Sequence, residues 1–239
     1  MAGSRIVWIT GASSGIGRAL AEEFASHGDS IAATARDLSN LTALQGQIEA
    51  SSGTCRVFPC DISNADQVRT TAESISSSFG PIDILINNAG VTYFKDFSAT
   101  TIEQFDEVMA TNLRGLFLST KAVLPNMLER GSGMIINVLS YAAKATYTGS
   151  SVYAASKAGA ETMMNVLRAE TRNKGIKIVN VYPGAVFTPI WHPKHREKYG
   201  HQMMKPAEIA KVMYQLSCQP PSMVIEDVVI RPQVGDLQV

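Results

Sequence analysis

Short apolar runs alternate with longer amphipathic segments along almost the whole chain, and this alternation constrains the fold more than any other feature. The runs are rich in β-branched residues and several are almost continuously apolar, as is typical of strands covered on both faces of a sheet. Strands that alternate with helices predict a parallel sheet with right-handed crossover connections. We therefore expect an α/β protein.

The pattern predicts strands at 5–10, 30–35, 54–59, 82–87, 134–139, 177–182 and 224–231, and helices at 15–27, 38–51, 64–79, 101–130, 151–173 and 206–215. Gly28 and Gly175 follow predicted helix ends, and Pro206 begins a predicted helix. No repeat or linker interrupts the pattern, so residues 1–239 are predicted to form a single domain. Segment 187–205 lacks clean periodicity and is long for a loop, which favours a lid or substrate loop.

Charge and cysteine usage narrow the class of function. The chain has 21 basic and 21 acidic residues among 239, with no block of like charge. This balance predicts no nucleic-acid partner and no membrane surface, and it favours a small-molecule substrate. Three cysteines lack paired zinc-site spacing, and the apolar run at 6–10 is too short for a signal peptide. We expect buried or half-buried thiols and a cytoplasmic location.

A glycine-rich loop, TGASSGIG, follows the first predicted strand and opens the first helix. Gly11 permits a tight turn, Gly15 lets the backbone approach a pyrophosphate, and Gly17 allows close helix–strand packing. The helix N-terminus offers unpaired N–H groups to phosphates, and Ser13 and Ser14 can add hydroxyl donors. The alternative is a merely flexible turn. Its position after the first strand favours a dinucleotide site.

The spacing T-G-x-x-x-G-x-G, together with the motif Asn87-Asn88-Ala89-Gly90 after the fourth predicted strand, resembles the short-chain dehydrogenase/reductase family. The resemblance covers nearly the whole chain. It implies a Rossmann-like, doubly wound, mainly parallel seven-stranded sheet with helices on both faces. It also adds Ile16, Asn88, Ala89 and Gly90 to the expected cofactor-binding residues.

The end of the second predicted strand distinguishes NADP from NAD. An acidic side chain there would accept from a free ribose 2′-OH but repel a 2′-phosphate. Ala35 occupies the position where NAD-preferring relatives usually carry the acid, and Arg36 follows with a planar fork that suits a phosphate. The alternative is an ordinary surface arginine paired with Asp37. We expect NADP (NADPH) as the cofactor.

Asp61 and Ile62, after the third predicted strand, resemble the family's adenine-contacting pair. The Asp61 carboxylate would accept from the exocyclic amine. The alternative role for Asp61 is to cap the helix that starts near Asn64, and both roles can hold.

The segment after the sixth predicted strand resembles the family's nicotinamide-side segment, with Pro183, Gly184, Val186 and Thr188 as the residues concerned. The resemblance implies that the Val186 backbone and the Thr188 hydroxyl hold the carboxamide. The alternative is a plain strand-to-lid turn.

A tyrosine and a lysine, Tyr153 and Lys157, lie one helical turn apart on the same face of a predicted helix. Hydride transfer to a ketone develops alkoxide character and needs a proton donor. A free phenol titrates near ~10, and a neighbouring ammonium group lowers that pKa by stabilising the phenolate. In the family, the lysine also binds the nicotinamide ribose. The pair alone is a weak signal, because it arises by chance in many helices.

Two more residues strengthen the prediction that Tyr153 and Lys157 belong to a catalytic site. Ser140 closes the fifth predicted strand, where the crevice of a doubly wound sheet lies, and its hydroxyl can polarise a substrate carbonyl. Asn112 aligns with the family's fourth catalytic residue, which positions a water between the lysine and solvent. Taken singly, a strand-end serine and a helix-bending asparagine are ordinary. Together with Tyr153, Lys157 and the glycine loop they predict a catalytic site.

The predicted function is an NADP(H)-dependent oxidoreductase that transfers a hydride between nicotinamide and a carbonyl or alcohol substrate, with Tyr153 as general acid/base. Arg36 favours the reductive direction, and the near alternative is the same enzyme acting as an alcohol dehydrogenase. A different class is an NADP-binding regulatory or sensor protein without turnover. The intact Asn112, Ser140, Tyr153 and Lys157 argue against it, because a sensor needs no proton donor.

Several side chains bear on substrate and assembly. Tyr93, Phe94, Tyr141, Tyr147 and Trp191 are expected to line the substrate pocket. Lys194, His195 and Arg196 give segment 187–205 a basic character, which predicts a preference for anionic or polar substrates. His192, His195 and His201 lack matching carboxylates or cysteines, so no metal site is predicted.

The predicted helix at 151–173 is apolar around more than one face. Family members associate through this helix and the long one before it, so the resemblance implies a homodimer or homotetramer. The alternative is burial of the extra apolar face beneath the lid. The segment 226–232 lacks the paired glycines common in the family. The resemblance therefore does not predict the C-terminal side of the substrate pocket.

Overall fold

One parallel sheet organises the residues that the computed structural model describes, 4–237. Its seven strands are β1 (Ile6–Thr10), β2 (Ser30–Ala35), β3 (Thr54–Pro59), β4 (Ile84–Asn87), β5 (Gly133–Val138), β6 (Ile176–Pro183) and β7 (Asp227–Ile230). They lie in the order β3-β2-β1-β4-β5-β6-β7. The order reverses between β1 and β4, which opens a crevice at the carboxyl ends of the strands. The predicted doubly wound Rossmann-like fold is confirmed.

Eight α-helices connect the strands within the described range. They are α1 (Gly15–Ser26), α2 (Leu38–Ala50), α3 (Ala65–Phe79), α4 (Ile102–Met109), α5 (Gly115–Arg130), α6 (Ser151–Thr171), α7 (Pro193–Tyr199) and α8 (Pro206–Ser217). Helices α1, α2 and α8 contribute to the core on one face of the sheet, and α3, α5 and α6 contribute to the core on the other.

Packing on both faces of the sheet explains why the strands are almost continuously apolar, and β1 shows it. Val7 and Ile9 point into the core beneath α1, α2 and α8, while Ile6 and Trp8 point into the opposite core. Alternate residues of one strand thus serve two apolar layers, and a polar residue on either face would be buried without water. This is the physical origin of the pattern that predicts the fold.

A row of asparagines crosses the centre of the sheet. Asn87 donates to Asn137 at 3.0 Å, and Asn137 donates to Asn180 at 3.0 Å. The strand register places Asn87 beside Asn137 and Asn137 beside Asn180. Each buried amide has a partner, so the row costs little desolvation energy and fixes the register of β4, β5 and β6 where the crevice begins.

Two predicted segments differ in the structure. The single helical stretch predicted at 101–130 is α4 and α5 joined by a π-turn, Ala110–Arg114. Segment 187–205, predicted as an irregular loop, contains the short helix α7 and a 3-10 turn, Gly200–Gln202. Seven residues span only about two turns, too few for a helical period to show in sequence.

Smaller differences concern the edges of the molecule. Strand β7 is shorter than the predicted 224–231. Cys55 and Cys60 are buried, but Cys218 is exposed, so the expectation of a buried or half-buried thiol is wrong there. In residues 4–237, no helix combines the length and the apolar character needed to cross a membrane.

Candidate active site

A cleft of about 1000 Å³ opens at the carboxyl ends of strands β1 to β6. Among the predicted site residues, those that line it are Gly11, Ser13, Ser14, Gly15, Ile16, Arg36, Asp61, Ile62, Asn88, Ala89, Gly90, Ser140, Tyr153, Lys157, Pro183, Gly184, Val186 and Thr188. Gly17 and Asn112 lie behind the wall rather than on it. The five aromatic residues expected in the pocket all line this cleft as well.

The shape of the glycine-rich loop depends on its three glycines. Gly11 has φ +66° and Gly15 has φ +55°, a region that residues with a Cβ rarely adopt. A Cβ on Gly17 would overlap the Gly11 carbonyl oxygen and the Asn88 side-chain amide. Gly17 therefore brings α1 against β1 and has no surface on the cleft.

Asn88 holds the glycine-rich loop from the neighbouring strand. Its side-chain amide donates to the carbonyl oxygens of Thr10 and Gly11 at 2.9 and 3.1 Å. The Thr10 hydroxyl in turn accepts from the backbone N–H groups of Asn88 and Ala89. The resemblance implied that Asn88 contacts the cofactor. In the structure its side-chain amide instead donates to the glycine-rich loop and fixes the shape of that loop.

The N-terminus of α1 faces the cleft without a side-chain cap. Ser14 occupies the N-cap position and its side chain makes no capping hydrogen bond. No acidic residue lies in the first turn. The unpaired N–H groups and the positive end of the helix dipole are therefore available to an anion, so the site fits the diphosphate of a dinucleotide.

At the far end of the cleft, Arg36 is exposed and forms no ion pair with any residue in the described part of the chain. The alternative partner, Asp37, instead caps α2 by accepting from Asn40 N–H at 3.0 Å. The alternative Arg36–Asp37 pair is thus wrong, and the exposed guanidinium group lies at the cleft.

Asp61 lines the same end of the cleft and does not cap a helix. Its carboxylate accepts from the Ser63 backbone N–H at 2.9 Å and hydroxyl at 2.7 Å. Partial burial acts to raise the pKa of Asp61, but these hydrogen bonds and the charge of Arg36 lower it below its usual value. Asn64 caps α3, so the alternative capping role for Asp61 is wrong.

Three polar side chains meet where β5 ends and α6 begins. The ammonium group of Lys157 is buried and donates to the Val138 carbonyl oxygen at 2.8 Å. It lies 5.8 Å from the centre of the Tyr153 ring. Ser140 accepts from Ala142 N–H at 3.1 Å, and its own hydroxyl proton can still be donated.

Burial shifts the pKa values of Tyr153 and Lys157 in opposite directions. Desolvation raises the pKa of Tyr153 above its ordinary value, and the hydrogen bond with Ser140 acts in the opposite direction. Desolvation lowers the pKa of Lys157 to about 8. The phenol is therefore protonated at neutral pH, and the lysine is a cation held close to its titration range.

Asn112 lies in the π-turn between α4 and α5, 1% exposed. Its side chain accepts from Val91 N–H at 2.8 Å and donates to the Val91 carbonyl oxygen at 2.9 Å and the Ser156 hydroxyl at 3.1 Å. The amide is thus fully used in joining the loop after β4 to α6. Its side chain positions this wall of the site and does not reach the cleft.

The segment after β6 is held from two directions. Gly184 N–H donates to the Ile230 carbonyl oxygen at 2.7 Å, and Phe187 N–H donates to the Met204 carbonyl oxygen at 2.9 Å. Thr188 is buried against the glycine-rich loop, where a Cβ on Gly15 would lie 3.2 Å from its side chain. The segment predicted to lie beside the nicotinamide therefore contacts the glycine-rich loop.

Sequence reasoning missed cleft residues that lie outside the predicted motifs, among them Thr92, Lys95, Asp96, Glu107, Thr111, Asp236 and Leu237. Asp236 contacts Tyr147, and burial together with this hydrogen bond raises the pKa of Tyr147 to about 12. No motif marks the C-terminal residues, and the missing glycines at 226–232 are the one signal that this side of the pocket departs from the family.

The histidines of segment 187–205 do not form a metal-binding cluster. His192 and His195 have ring centres 6.2 Å apart, and within residues 4–237 no group of three His, Cys, Asp or Glu residues is arranged to hold a metal ion. Of Lys194, His195 and Arg196, His195 is the one that lines the cleft.

The family model for short chain dehydrogenases matches residues 5–199, and the chain belongs to this family. It is 37% identical to a sepiapterin reductase from Chlorobaculum tepidum over 240 residues, which covers 98% of each chain. It is 36% identical to a D-threitol dehydrogenase from Mycolicibacterium smegmatis over 188 residues, which covers 79% of this chain and 72% of the relative.

Solved structures agree with the match. A metagenomic short-chain oxidoreductase in complex with NADP has a TM-score of 0.85 and 30% identity, with 97% of this chain and 98% of that chain covered. An alcohol dehydrogenase from Thermococcus sibiricus complexed with 5-hydroxy-NADP has a TM-score of 0.89 and 26% identity, with 99% and 100% covered. The chain is thus an oxidoreductase of a family that uses nicotinamide cofactors.

Proposed function

We propose that this protein is an NADPH-dependent carbonyl reductase that works through Tyr153. The observation that carries the proposal is the placement of Tyr153, Ser140 and Lys157 in one cleft with an uncapped helix N-terminus and an unpaired arginine. Reduction by a dinucleotide requires an anion site and a proton donor in one cleft.

The residues present fit NADPH along the whole cleft. The N-terminus of α1 would hold the diphosphate, Arg36 the 2′-phosphate and Asp61 the adenine amine. The segment from Pro183 to Thr188 would hold the carboxamide. Bound NADPH supplies the hydride. Two of the structural relatives named above are complexes with NADP or a derivative of it, which supports this choice of cofactor.

Tyr153 serves as the proton donor in the reductive direction. Its raised pKa keeps the phenol protonated at neutral pH, as a general acid must be. The Ser140 hydroxyl accepts from Ala142 N–H and still has its own proton to donate. It donates to the substrate carbonyl oxygen and so stabilises the charge that develops there.

Lys157 stabilises the phenolate that Tyr153 becomes after donating its proton. Its ammonium group is fixed at the end of β5 by the bond to Val138, so the charge stays in place during the reaction. A Cβ on Gly90 would lie 3.6 Å from the Lys157 nitrogen. Gly90 thus lies next to the ammonium group, on the cleft side where Lys157 would reach the nicotinamide ribose.

The relatives' names agree with carbonyl or alcohol chemistry, since they include a sepiapterin reductase, a threitol dehydrogenase and an alcohol dehydrogenase. Arg36 favours NADP(H) over NAD(H), and the reduced form, NADPH, is the hydride donor. We therefore propose reduction of a carbonyl rather than oxidation of an alcohol. The thiols of Cys55, Cys60 and Cys218, free in the described part of the chain, support a reducing, cytoplasmic setting.

The test follows NADPH oxidation with a panel of aldehydes and ketones in the parent and in Tyr153→Phe. We expect kcat/KM to fall by about 10²–10⁴-fold, because the general acid is lost while the ring remains. Tyr147→Phe is the matched control, since it removes from the same cleft a phenol whose hydrogen-bond partner is Asp236. Unchanged turnover in Tyr153→Phe, or NADPH binding without turnover of any carbonyl, would overturn the proposal; the second result would favour a sensor.

A further inference from the structure

Four rings form a row that leads from the proposed proton donor to the lid. Phe94 has its ring centre 6.4 Å from that of Tyr153 and 5.1 Å from that of Trp191, to which it is nearly parallel at 19°. His195 follows, edge-on to Trp191 at 6.5 Å. Phe94 belongs to the loop after β4, whereas Trp191 and His195 belong to segment 187–205. Two separate walls of the cleft therefore meet in this row.

The position of Phe94 is fixed on both sides. Val91, three residues before it, is held by the side chain of Asn112. Lys95, directly after it, donates its N–H to the Gly149 carbonyl oxygen at 2.8 Å. The ring is thus held next to Tyr153 before any substrate arrives, which lowers the entropy cost of binding against it.

The row leaves apolar surface open to the cleft. Phe94 is 42% exposed, and the neighbouring cleft residues Tyr93 and Ile190 are each 37% exposed. Apolar area that lines a concave site gains free energy when a ligand covers it. Since this surface touches Tyr153 at one end, the ligand it suits is the body of the molecule whose carbonyl is reduced.

Polar atoms without partners lie beside this apolar surface. In the described residues, three buried side-chain polar atoms have no hydrogen-bond partner, and two of them, Thr92 Oγ1 and His195 Nδ1, belong to cleft residues. A buried polar atom without a partner costs free energy, so its retention calls for an explanation. Because neither atom is exposed in the empty cleft, a polar group on a bound substrate supplies the partner only after a rotation of the Thr92 or His195 side chain.

We propose that Phe94, Trp191 and His195 form the substrate subsite, and that it takes aryl ketones or aldehydes whose ring carries a polar substituent. This proposal rests on the proposed carbonyl reductase function. Phe94 and Trp191 already stack on each other at 5.1 Å, so a flat substrate ring packs on an outer face of the pair or meets its edge, a gain that a saturated ring lacks. The His195 imidazole provides one hydrogen bond to the polar substituent, at the end of the row remote from Tyr153.

Three matched ketones test the subsite with the full-length protein and NADPH. Acetophenone and cyclohexyl methyl ketone differ in the aromaticity of the ring, and 3-hydroxyacetophenone adds a hydroxyl to the aromatic ring. We expect the parent to favour acetophenone over cyclohexyl methyl ketone by about five- to tenfold in kcat/KM, the size of an aromatic pair interaction. The hydroxyl should add about threefold to tenfold more, the size of one net hydrogen bond.

Variants assign each preference to its residue. Trp191→Leu and Phe94→Leu should bring the aryl-to-cyclohexyl ratio close to one through KM, while reduction of cyclohexyl methyl ketone persists. Phe187→Leu is the control, because Phe187 is an exposed aromatic of the same segment that does not line the cleft. His195→Phe should remove the preference for the hydroxyl, and His201→Phe should leave it intact. Ratios within one variant are independent of any loss of folded protein.

The outcomes separate this proposal from the one on which it rests. If no ketone or aldehyde is reduced by the parent, the proposed function fails. If carbonyls are reduced but the parent shows no aryl preference, the subsite proposal fails and the proposed function stands. It fails as well if Trp191→Leu and Phe94→Leu keep the preference, or if His195→Phe and His201→Phe respond alike to the hydroxyl.

Discussion

Single side chains set the charges at the two ends of the cleft. Lys157 is a cation buried where β5 meets α6, with one hydrogen bond, to the Val138 carbonyl oxygen. Burying an ammonium group costs free energy, which appears as a pKa lowered to about 8. The chain keeps this costly residue beside Tyr153, where the proposed mechanism uses its charge.

The lowered pKa of Lys157 predicts how stability depends on pH. Between about pH 8 and pH 10.5 the unfolded state binds a proton at Lys157 that the folded state does not, so this residue makes the free energy of unfolding rise with pH. From pH 7.5 to 9.5 the parent should gain about 2 kcal/mol relative to Lys157→Met.

Urea unfolding of both proteins at these two pH values measures the difference. Lys177→Met serves as the control: desolvation also lowers the pKa of Lys177, but by less than that of Lys157. A gap between the parent and Lys157→Met that is constant with pH would show that Lys157 does not titrate in this window.

Arg36 predicts the choice of cofactor. Arg36→Ala should raise KM for NADPH by about tenfold or more and leave KM for NADH nearly unchanged, because only NADPH carries the 2′-phosphate. Arg69→Ala, on the exposed face of α3, removes the same charge far from the cleft. Steady-state kinetics with both cofactors measure the ratio, and a parent that prefers NADH would contradict the assignment.

Whole elements place these side chains, and the elements differ in how well sequence predicts them. The glycine-rich loop was predictable because each glycine answers a steric need that the structure shows, such as the contact of Gly17 with Gly11. The π-turn around Asn112 was not, because one extra residue in a turn changes the hydrogen bonding without changing the apolar pattern. Helix α7 was too short to show a period.

Two helical glycines give a paired prediction on stability. Gly17→Ala places a Cβ into the Gly11 carbonyl oxygen and the Asn88 amide, so it should destabilise the protein by about 1–3 kcal/mol and weaken NADPH binding. Gly46→Ala, in α2, meets nothing within 4 Å and should stabilise by about 1 kcal/mol. Thermal melts and NADPH titration measure both, and a melting temperature that falls equally in the two variants would contradict the packing argument.

At the scale of the whole molecule, exposed apolar side chains on the long helices bear on assembly. Phe105 on α4, Phe117 on α5 and Val166 on α6 are 46%, 43% and 53% exposed. Val166 would not be this open if the lid covered the extra apolar face of α6, so burial beneath the lid fails for this residue. Apolar surface of this kind favours association.

We therefore predict that the protein is a dimer or tetramer in solution. Light scattering on a sizing column should give a mass of two or four chains for the parent. Phe117→Glu combined with Val166→Glu should lower that mass, because it places charge on the predicted contact surface. Arg69→Glu, which adds charge elsewhere, is the control. A parent with the mass of one chain contradicts the prediction.

The sheet and its crevice were predictable from sequence because the strand–helix alternation extends over most of the chain. The far wall of the cleft was not: Glu107 and Asp236 arrive there through tertiary packing that no local pattern records. Motifs near the strand ends therefore predict which residues line the cleft at its core, while the residues of its outer walls become visible once the loops are placed.

The central claim, hydride delivery to a carbonyl with Tyr153 as proton donor, is tested most directly by isotope transfer. NADPH deuterated at both C4 positions is mixed with the best carbonyl substrate of the panel, and the alcohol is analysed by mass spectrometry. The account predicts one deuterium on the carbinol carbon with the parent, and formation slowed by at least about a hundredfold in Tyr153→Phe. An unlabelled alcohol, or equal rates in the two proteins, would contradict it.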